Sequence, residues 1–524
     1  MTVKISSIGL KGLEGYCVQV QVHVSEGKES MVIVGLPDTS VKESKERVLS
    51  AVHTLGCDVS EQKIVVNLSP SEHKKNGPFF DLAMAIGILK EKGELKAKIP
   101  DDSVFIGALS LDGTVEKVDG MLPALIAANT LGFKRVYLPY DPHIPILMFE
   151  GLECIVIQHI HEVIQHLSGQ NLLPLMEAPQ PPEHFSHHFE YAKDFRDIIG
   201  HEHAKQAFEI AAAGEHNVLM SGPPGCGKSL FAEAFPSILP PLTKEAQLEV
   251  MSLYQLAKER LDFPQIAPFR HPHHSSSSIS IIGGGTNPKP GEISLAHRGV
   301  LFLDEMAEFP KKTLDMLRQP LESGMVTISR AQSTVRYPCS FLLIAAMNPC
   351  QCGYHDSNTR YCTCSTKQIQ SYKNRVSGPI IDRFDILLYL KPVNLSQPSK
   401  DVVDSNFIRK RVEQARDRQF RRYQQQLTNA KVPFEKLTAL SPLKEHQLNM
   451  IRQVSSKQQW SNRVQIKIIR LARTISDLAG LQEISDESIW QAILLRRENQ
   501  SNAQMVGEKM MNEKIIKGVE RNAP

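Results

Sequence analysis

Gly222-Pro-Pro-Gly-Cys-Gly-Lys-Ser229 lies between the apolar run Asn217-Val-Leu-Met-Ser221 and the helix-forming stretch Leu230-Phe-Ala-Glu-Ala-Phe235. Strand, glycine-rich turn and helix in that order are the setting a P-loop needs. Gly222, Gly225 and Gly227, with Pro223, Pro224 and Cys226 between them, let the backbone close tightly enough to aim several N–H groups at a β-phosphate. Lys228 is placed to reach the β and γ oxygens, and the hydroxyl of Ser229 to ligate Mg²⁺. An α/β core that binds a nucleotide is the expectation.

A phosphate cradle serves kinases, GTPases and motors alike, so whatever activates water decides between them. Val300-Leu-Phe-Leu303 has the four apolar residues of a central parallel strand, and Asp304-Glu305 follow at its carboxyl end. Asp304 is expected to hold the Mg²⁺ shell and Glu305 to polarise an attacking water, which makes the chemistry ATP hydrolysis rather than transfer to a substrate. A third strand, Phe341-Leu-Leu-Ile-Ala-Ala-Met347, ends in Asn348. Its neutral amide suits the sensor-1 role, orienting that water without adding charge beside the γ-phosphate.

Arg383, within Gly378-Pro-Ile-Ile-Asp-Arg-Phe-Asp385, is a candidate for the site of a neighbouring subunit, where such an arginine raises the rate by about 10³–10⁵. The active form is then a ring. Arg463 opens a helix whose Val464, Ile468, Leu471, Ile475 and Leu478 recur at helical spacing and which stops at Gly480. From that lid its guanidinium is expected to reach the γ-phosphate. Taken singly, either arginine also fits a surface salt bridge.

At 524 residues the chain is long enough for about three to four domains. No apolar stretch approaches the ~18–20 residues that cross a membrane, and Met1-Thr-Val-Lys-Ile-Ser lacks the apolar core of a signal peptide. A cytoplasmic protein without membrane contact is expected. Sixty basic residues against 57 acidic ones are too balanced to announce nucleic acid by net charge, so any contact with it must be local. Pro174, Pro179, Pro181 and Pro182 mark a linker, giving domains 1–168, 194–395 and 396–500, with residues 169–193 joining the first two and 501–524 a flexible tail.

Nine cysteines without a secretion signal argue against a disulfide framework. Cys350 and Cys352, then Cys362 and Cys364, make two C-x-C pairs separated by nine polar and turn-forming residues. That is enough chain to wrap four thiolates around a structural, tetrahedral Zn²⁺, with a reduced, metal-free loop as the alternative. His271, His273 and His274 have no Cys or carboxylate at ligand spacing and are not read as a metal site.

Phe195-Arg-Asp-Ile-Ile-Gly-His201, Glu209-Ile-Ala-Ala-Ala213, Phe269-Arg-His-Pro-His-His-Ser275, Gly283-Gly-Gly285, Leu317-Arg-Gln-Pro-Leu-Glu322, Ile328-Ser-Arg330 and Arg473-Thr-Ile-Ser-Asp-Leu-Ala479 resemble the ComM/YifB family of bacterial magnesium-chelatase-like AAA+ ATPases. The likeness runs from residue 1 to about 500. It implies a homo-hexameric DNA helicase, stimulated by single-stranded or branched DNA, that drives branch migration in homologous recombination, notably in natural transformation. None of this follows from spacing or composition.

Lys75-Asn-Gly-Pro-Phe-Phe-Asp81 and Asp119-Gly-Met-Leu-Pro-Ala124 are similar to the catalytic segments of Lon-type proteases. Phe79 stands where that family has its serine and Leu122 where it has its lysine, and neither can form an acyl-enzyme or take a proton. An inactive Lon-like α+β scaffold is expected. Magnesium-chelatase-like relatives also carry pore inserts between the P-loop and the strand before Asp304, which implies that Arg270, Lys289 and Arg330 meet DNA phosphates without sequence preference. Arg330 falls at the turn of a hairpin between two β-branched runs. The basic amphipathic stretch 405–423 is expected to be a helix linking core and lid, and Lys467, Arg470 and Arg473 the polar face of the Arg463 helix. A metal-insertion motor and a protein-remodelling ATPase remain the competing functions.

Overall fold

The computed structural model describes residues 2–170, 191, 193–261, 264–285, 288–330, 333–355, 360–393 and 403–497. The expected tail, and all of the expected linker beyond its ends, lie outside them.

The N-terminal unit is built on a four-stranded sheet ordered Val3–Lys11, Glu14–Glu26, Gln62–Ser69, Ser30–Val34, the last pair parallel and the others antiparallel. Val18, Val20 and Val22 are buried while Gln19 and His23 face out, the two-residue period of a strand with one wet face. Helices Thr39–Thr54 and Asp81–Glu91 lie with that core, and Gly87 lets the second approach Val22 so closely that a Cβ would stand 2.6 Å from its methyl. A three-stranded parallel sheet, Ser103–Phe105, Arg135–Pro139 and Glu153–Ile157, completes an α+β unit.

Phe79 and Leu122 are both buried in this unit. The Leu122 N–H donates to Gln255 Oε1 at 2.9 Å, and Lys258 pairs with Asp119 at 2.6 Å. The locus that resembles a protease centre is thus packed against helix Lys244–Ala257 of the next unit, whose Met251 joins the N-terminal core.

That next unit is a five-stranded, wholly parallel sheet ordered Phe269–Arg270, Val300–Leu303, Leu342–Met347, Val218–Ser221, Ile386–Tyr389. Its strands are buried on both faces, as continuous apolar runs require. Val218, Met220, Val300, Phe302, Leu342 and Ile344 point into a core shared with the C-terminal helices, while Leu219, Leu301, Leu303, Leu343 and Ala345 point into a second core on the other face. Two small antiparallel pairs sit against that second core: Gly283–Gly284 with Lys289–Pro290, and Met325–Arg330 with Ser333–Pro338. The hairpin expected around Arg330 is present.

Helices Ser405–Tyr423, Phe434–Leu440, Glu445–Gln458, Asn462–Leu478 and Asp486–Arg496 form the C-terminal bundle. The first is the expected linking helix. Four of its cations are held within the chain, Arg411 by Glu209, Arg416 by Glu215, and Arg418 and Arg422 by Asp477. Lys467, Arg470 and Arg473, expected as the polar face of helix Asn462–Leu478, are turned into the fold. Lys467 binds Phe384 O and Asp385, Arg470 binds Val432 O, and the fully buried Arg473 binds the carbonyls of Leu481 and Gln482. Each cation satisfies carbonyls that the helix ends and turns leave without partners.

Candidate active site

The loop after Val218–Ser221 turns through Gly225 (φ +77°) and Gly227 (φ +87°), left-handed conformations that a side chain would strain. A Cβ on Gly222 would stand 2.5 Å from Leu390 O, so only glycine lets the loop lie against the chain leaving Ile386–Tyr389. Helix Lys228–Ala234 starts at once, its N-terminus aimed into the turn.

Lys228 Nζ donates to Gly222 O at 2.8 Å, to Pro223 O at 3.0 Å and to Asn348 Oδ1 at 3.2 Å. Burial lowers its pKa, and the charges of Asp304 and Glu305 work against that. The Ser229 hydroxyl donates to Asp304 Oδ2 at 3.0 Å, and Asp304 Oδ1 accepts the Glu305 N–H at 2.8 Å. Lys228, Ser229, Asp304, Glu305 and Asn348 therefore converge where the carboxyl ends of three neighbouring strands meet, the usual ligand position in such a sheet. Two oxygens bound side by side to Mg²⁺ at 2.0–2.1 Å stand about 2.9 Å apart. The Ser229–Asp304 separation fits that requirement.

Arg383 and Arg463 are elsewhere. Arg383 precedes Ile386–Tyr389, its carbonyl accepting from Asn217 Nδ2 at 3.1 Å, so it belongs to the amino end of a sheet whose carboxyl end carries the P-loop. The four residues of Val218–Ser221, rising ~3.3 Å each, separate the two ends by about 13 Å. Glu322 pairs with the Arg383 guanidinium and lies 3.9 Å from Arg463. Arg463, expected at a γ-phosphate, is not brought to this chain's own P-loop. Lys467, one turn along the same helix, is fixed to Asp385 at 2.8 Å, which keeps the start of the helix at the amino end. Asp385 is part of the anchor: burial would raise its carboxyl, but Lys467 and His216 hold it well below the usual carboxylate range.

Cys350, Cys352, Cys362 and Cys364 come together with all four sulfurs within 4.8 Å of one another. The separations of 3.3 Å for Cys350–Cys352, 3.5 Å for Cys352–Cys362 and 3.7 Å for Cys350–Cys362 approach the ~3.8 Å edge of a sulfur tetrahedron around Zn²⁺ at 2.3 Å. A hydrogen bond from the Tyr354 backbone leads in lowering the Cys352 thiol to about 6, while at Cys362 the hydrogen bond from the Cys364 backbone is outweighed, and burial and hydrogen bonds to Cys352 and Cys350 push that thiol up to about 12. Gly353 lies so near the P-loop that a Cβ would meet Pro224 at 2.8 Å. The cluster thus braces the phosphate loop as well as the segment after Asn348.

Of the expected phosphate contacts, Arg270 is corrected. Glu292 binds it at 2.6 and 2.9 Å, Glu259 at 2.9 Å, and its guanidinium lies 5.8 Å from the centre of the Tyr254 ring. Two carboxylates neutralise it inside the fold. Lys289 is exposed beside the Gly283–Gly284 strand, and the backbone of Arg330 ends its strand at the hairpin tip. Two residues escaped sequence reading. Glu322 ends the segment Leu317–Glu322 without being given a role there, and His274 Nδ1 stands 3.3 Å from Glu305 Oε2, a partner found by folding rather than by spacing.

Family models described as magnesium chelatase subunit ChlI, subunit ChlI of Mg-chelatase, and the ChlI C-terminal region match residues 194–397, 20–142 and 403–496. The chain is 36% identical over 491 residues to YifB of Escherichia coli, covering 93% of this chain and 95% of that one. It is 37% identical over 487 residues to competence protein ComM of Haemophilus influenzae, covering 92% and 95%. Lon protease 2 of Bacillus subtilis is similar over 167 residues at 29% identity, 29% of each chain.

Proposed function

The chain belongs to the ComM/YifB family of magnesium-chelatase-like AAA+ proteins, and from that premise we propose that it is a hexameric, ATP-hydrolysing DNA motor. It would move branched DNA during homologous recombination, in the cytoplasm and in the course of natural transformation. The relative named competence protein ComM supports that setting. Among the described residues no helix is long and apolar enough to cross a membrane.

The split site carries the proposal. One chain holds the P-loop, Asp304 and Glu305 at one end of its sheet and Arg383 at the other, so a complete site needs a neighbour's arginine and a closed ring supplies one at every interface. In each site Lys228 leaves the loop carbonyls for the β- and γ-phosphates. Ser229 and Asp304 would hold Mg²⁺, which would supply positive charge to offset the charge developing on the phosphates. Glu305 draws the proton from the attacking water, and Asn348 fixes that water. The four cysteines would hold a structural Zn²⁺, and the Lon-like N-terminal unit, with Phe79 and Leu122 in place of the catalytic serine and lysine, would be a scaffold. Lys289 and Arg330, on inserts facing the ring pore, would meet the phosphate backbone.

The description of the family as magnesium chelatase favours a second possibility, a metal-insertion motor with the same ATPase core; a protein-remodelling ring is the third. ATPase assays with and without single-stranded DNA, joined to migration of a labelled four-stranded junction, decide. Stimulated hydrolysis with junction movement is the expected result, and hydrolysis indifferent to DNA with static junctions would overturn the proposal.

A further inference from the structure

Glu305 sits in the left-handed region (φ +48°), a conformation a non-glycine residue keeps only when its surroundings impose it. One part of those surroundings is His274, whose Nδ1 stands 3.3 Å from Glu305 Oε2. Its ring in turn lies 4.1 Å from that of His273 and edge-on to Phe309, while His273 Nδ1 bonds the Ser275 hydroxyl at 2.7 Å. The imidazole is therefore placed by its own loop and is not a stray surface contact.

Four residues on, that loop becomes the helix Ser278–Ile282, capped by Ser277 and tied to Thr313 through the Ser278 hydroxyl at 2.8 Å. Ile281 and Ile282 are buried with Val326, Ile328, Val335 and Tyr337 of the Met325–Pro338 hairpin. The next residues, Gly283–Gly284, pair with Lys289–Pro290, and the Tyr337 hydroxyl donates to Pro288 O at 2.7 Å. One continuous packed path joins both inserts to the carboxylate.

We propose that His274 is a positioning residue that restrains Glu305 until the inserts are displaced by bound DNA. With its proton on Nδ1 the imidazole donates to Oε2, and that oxygen is then not free to take the proton of the attacking water. Displacement of Lys289 or the hairpin tilts Ser278–Ile282, withdraws His274 and releases the carboxylate, so hydrolysis follows DNA engagement. This coupling rests on the DNA-motor proposal, whereas the restraint itself does not.

The test compares His274→Ala and His274→Gln with the wild type in ATPase assays with and without single-stranded DNA, alongside binding of a non-hydrolysable ATP analogue. His274→Ala is expected to raise the DNA-free rate at least about fivefold, to lose most of the stimulation by DNA, and to bind the analogue as the wild type does. His274→Gln, which keeps an N–H donor, is expected to restore a low DNA-free rate. A DNA-free rate in His274→Ala at or below that of the wild type, or in His274→Gln as high as in His274→Ala, overturns the restraint. A wild type that DNA does not accelerate sinks the DNA-motor proposal instead, and the DNA-free rates of the two variants still judge His274.

Discussion

Arg463 stands 3.9 Å from Glu322, the same carboxylate that the Arg383 guanidinium grips. Both cations face away from the site built by Lys228 in their own chain, and Glu322 holds them at one edge. Arg383→Ala should therefore bind nucleotide normally yet lose about 10³-fold or more in hydrolysis. Mixed with the equally inactive Glu305→Gln, it should regain activity at interfaces that pair an intact Arg383 with an intact Glu305. No recovery after proven subunit exchange would show that Arg383 does not act across the interface.

Lys228 and Glu305 separate binding from chemistry. Lys228→Ala removes the cation that now holds two loop carbonyls and Asn348, and nucleotide affinity should fall at least about tenfold. Glu305→Gln keeps shape and hydrogen bonding but not the base, so binding should persist while turnover drops about 10²–10⁴-fold. Titration of a fluorescent nucleotide beside single-turnover hydrolysis measures both; normal turnover in Glu305→Gln would remove Glu305 from its role.

The P-loop was legible because its requirements are local: Gly225 and Gly227 need left-handed backbone whatever the rest of the chain does. The parallel sheet was legible because Val300–Leu303 and Leu342–Met347 are apolar on both faces. Charged side chains were another matter. Arg270 reads as a free cation beside an insert until folding brings Glu259 and Glu292 to it, and nothing in the spacing of the Arg463 helix shows that Lys467 ties it to Asp385, away from this chain's own P-loop. Sequence periodicity reports which residues are buried, but the partner of a buried charge is set by tertiary contacts that no spacing encodes.

Charges paired in this way set an acid limit. Burial would raise Glu249 and Glu215, but His297 and Arg298 hold the first, and Lys431 and Arg416 the second, down to about 2, and Asp385 is held low by Lys467. Folded values below the unfolded ~4 mean that the unfolded chain binds more protons as the pH falls. Stability from these groups is complete above about pH 5 and is lost as the pH drops from there toward 2. The melting temperature should hold from pH 7 to 5 and fall steeply below about 4.5. Lys467→Met leaves the buried Asp385 without its lysine, with His216 and the Asn217 N–H still beside it, and should cost about 3 kcal/mol or more at neutral pH, read by chemical denaturation; an unchanged midpoint would deny the anchor.

The cysteine cluster predicts about one zinc per chain by elemental analysis of protein prepared without chelators. Replacing Cys352 and Cys364 together with serine should remove it, lower the melting temperature and, because Gly353 abuts Pro224, weaken nucleotide binding. Wild-type protein free of zinc would eliminate the site.

Phosphate contacts release counterions, so the affinity for single-stranded DNA should fall steeply with salt, by a slope near 0.7 for each contact. Lys289→Ala and Arg330→Ala should each shallow that slope by about one contact, weaken all sequences alike and uncouple hydrolysis from junction movement. Arg270→Ala is the control that the fold supplies. Its guanidinium is already spent on Glu259 and Glu292, so its loss should lower stability, by leaving two carboxylates without their cation, and leave the salt slope where it was. If instead Arg270→Ala alone flattens the slope while Lys289→Ala and Arg330→Ala do not, DNA reaches the chain along the strand edge at Phe269–Arg270, and the two inserts are not its path.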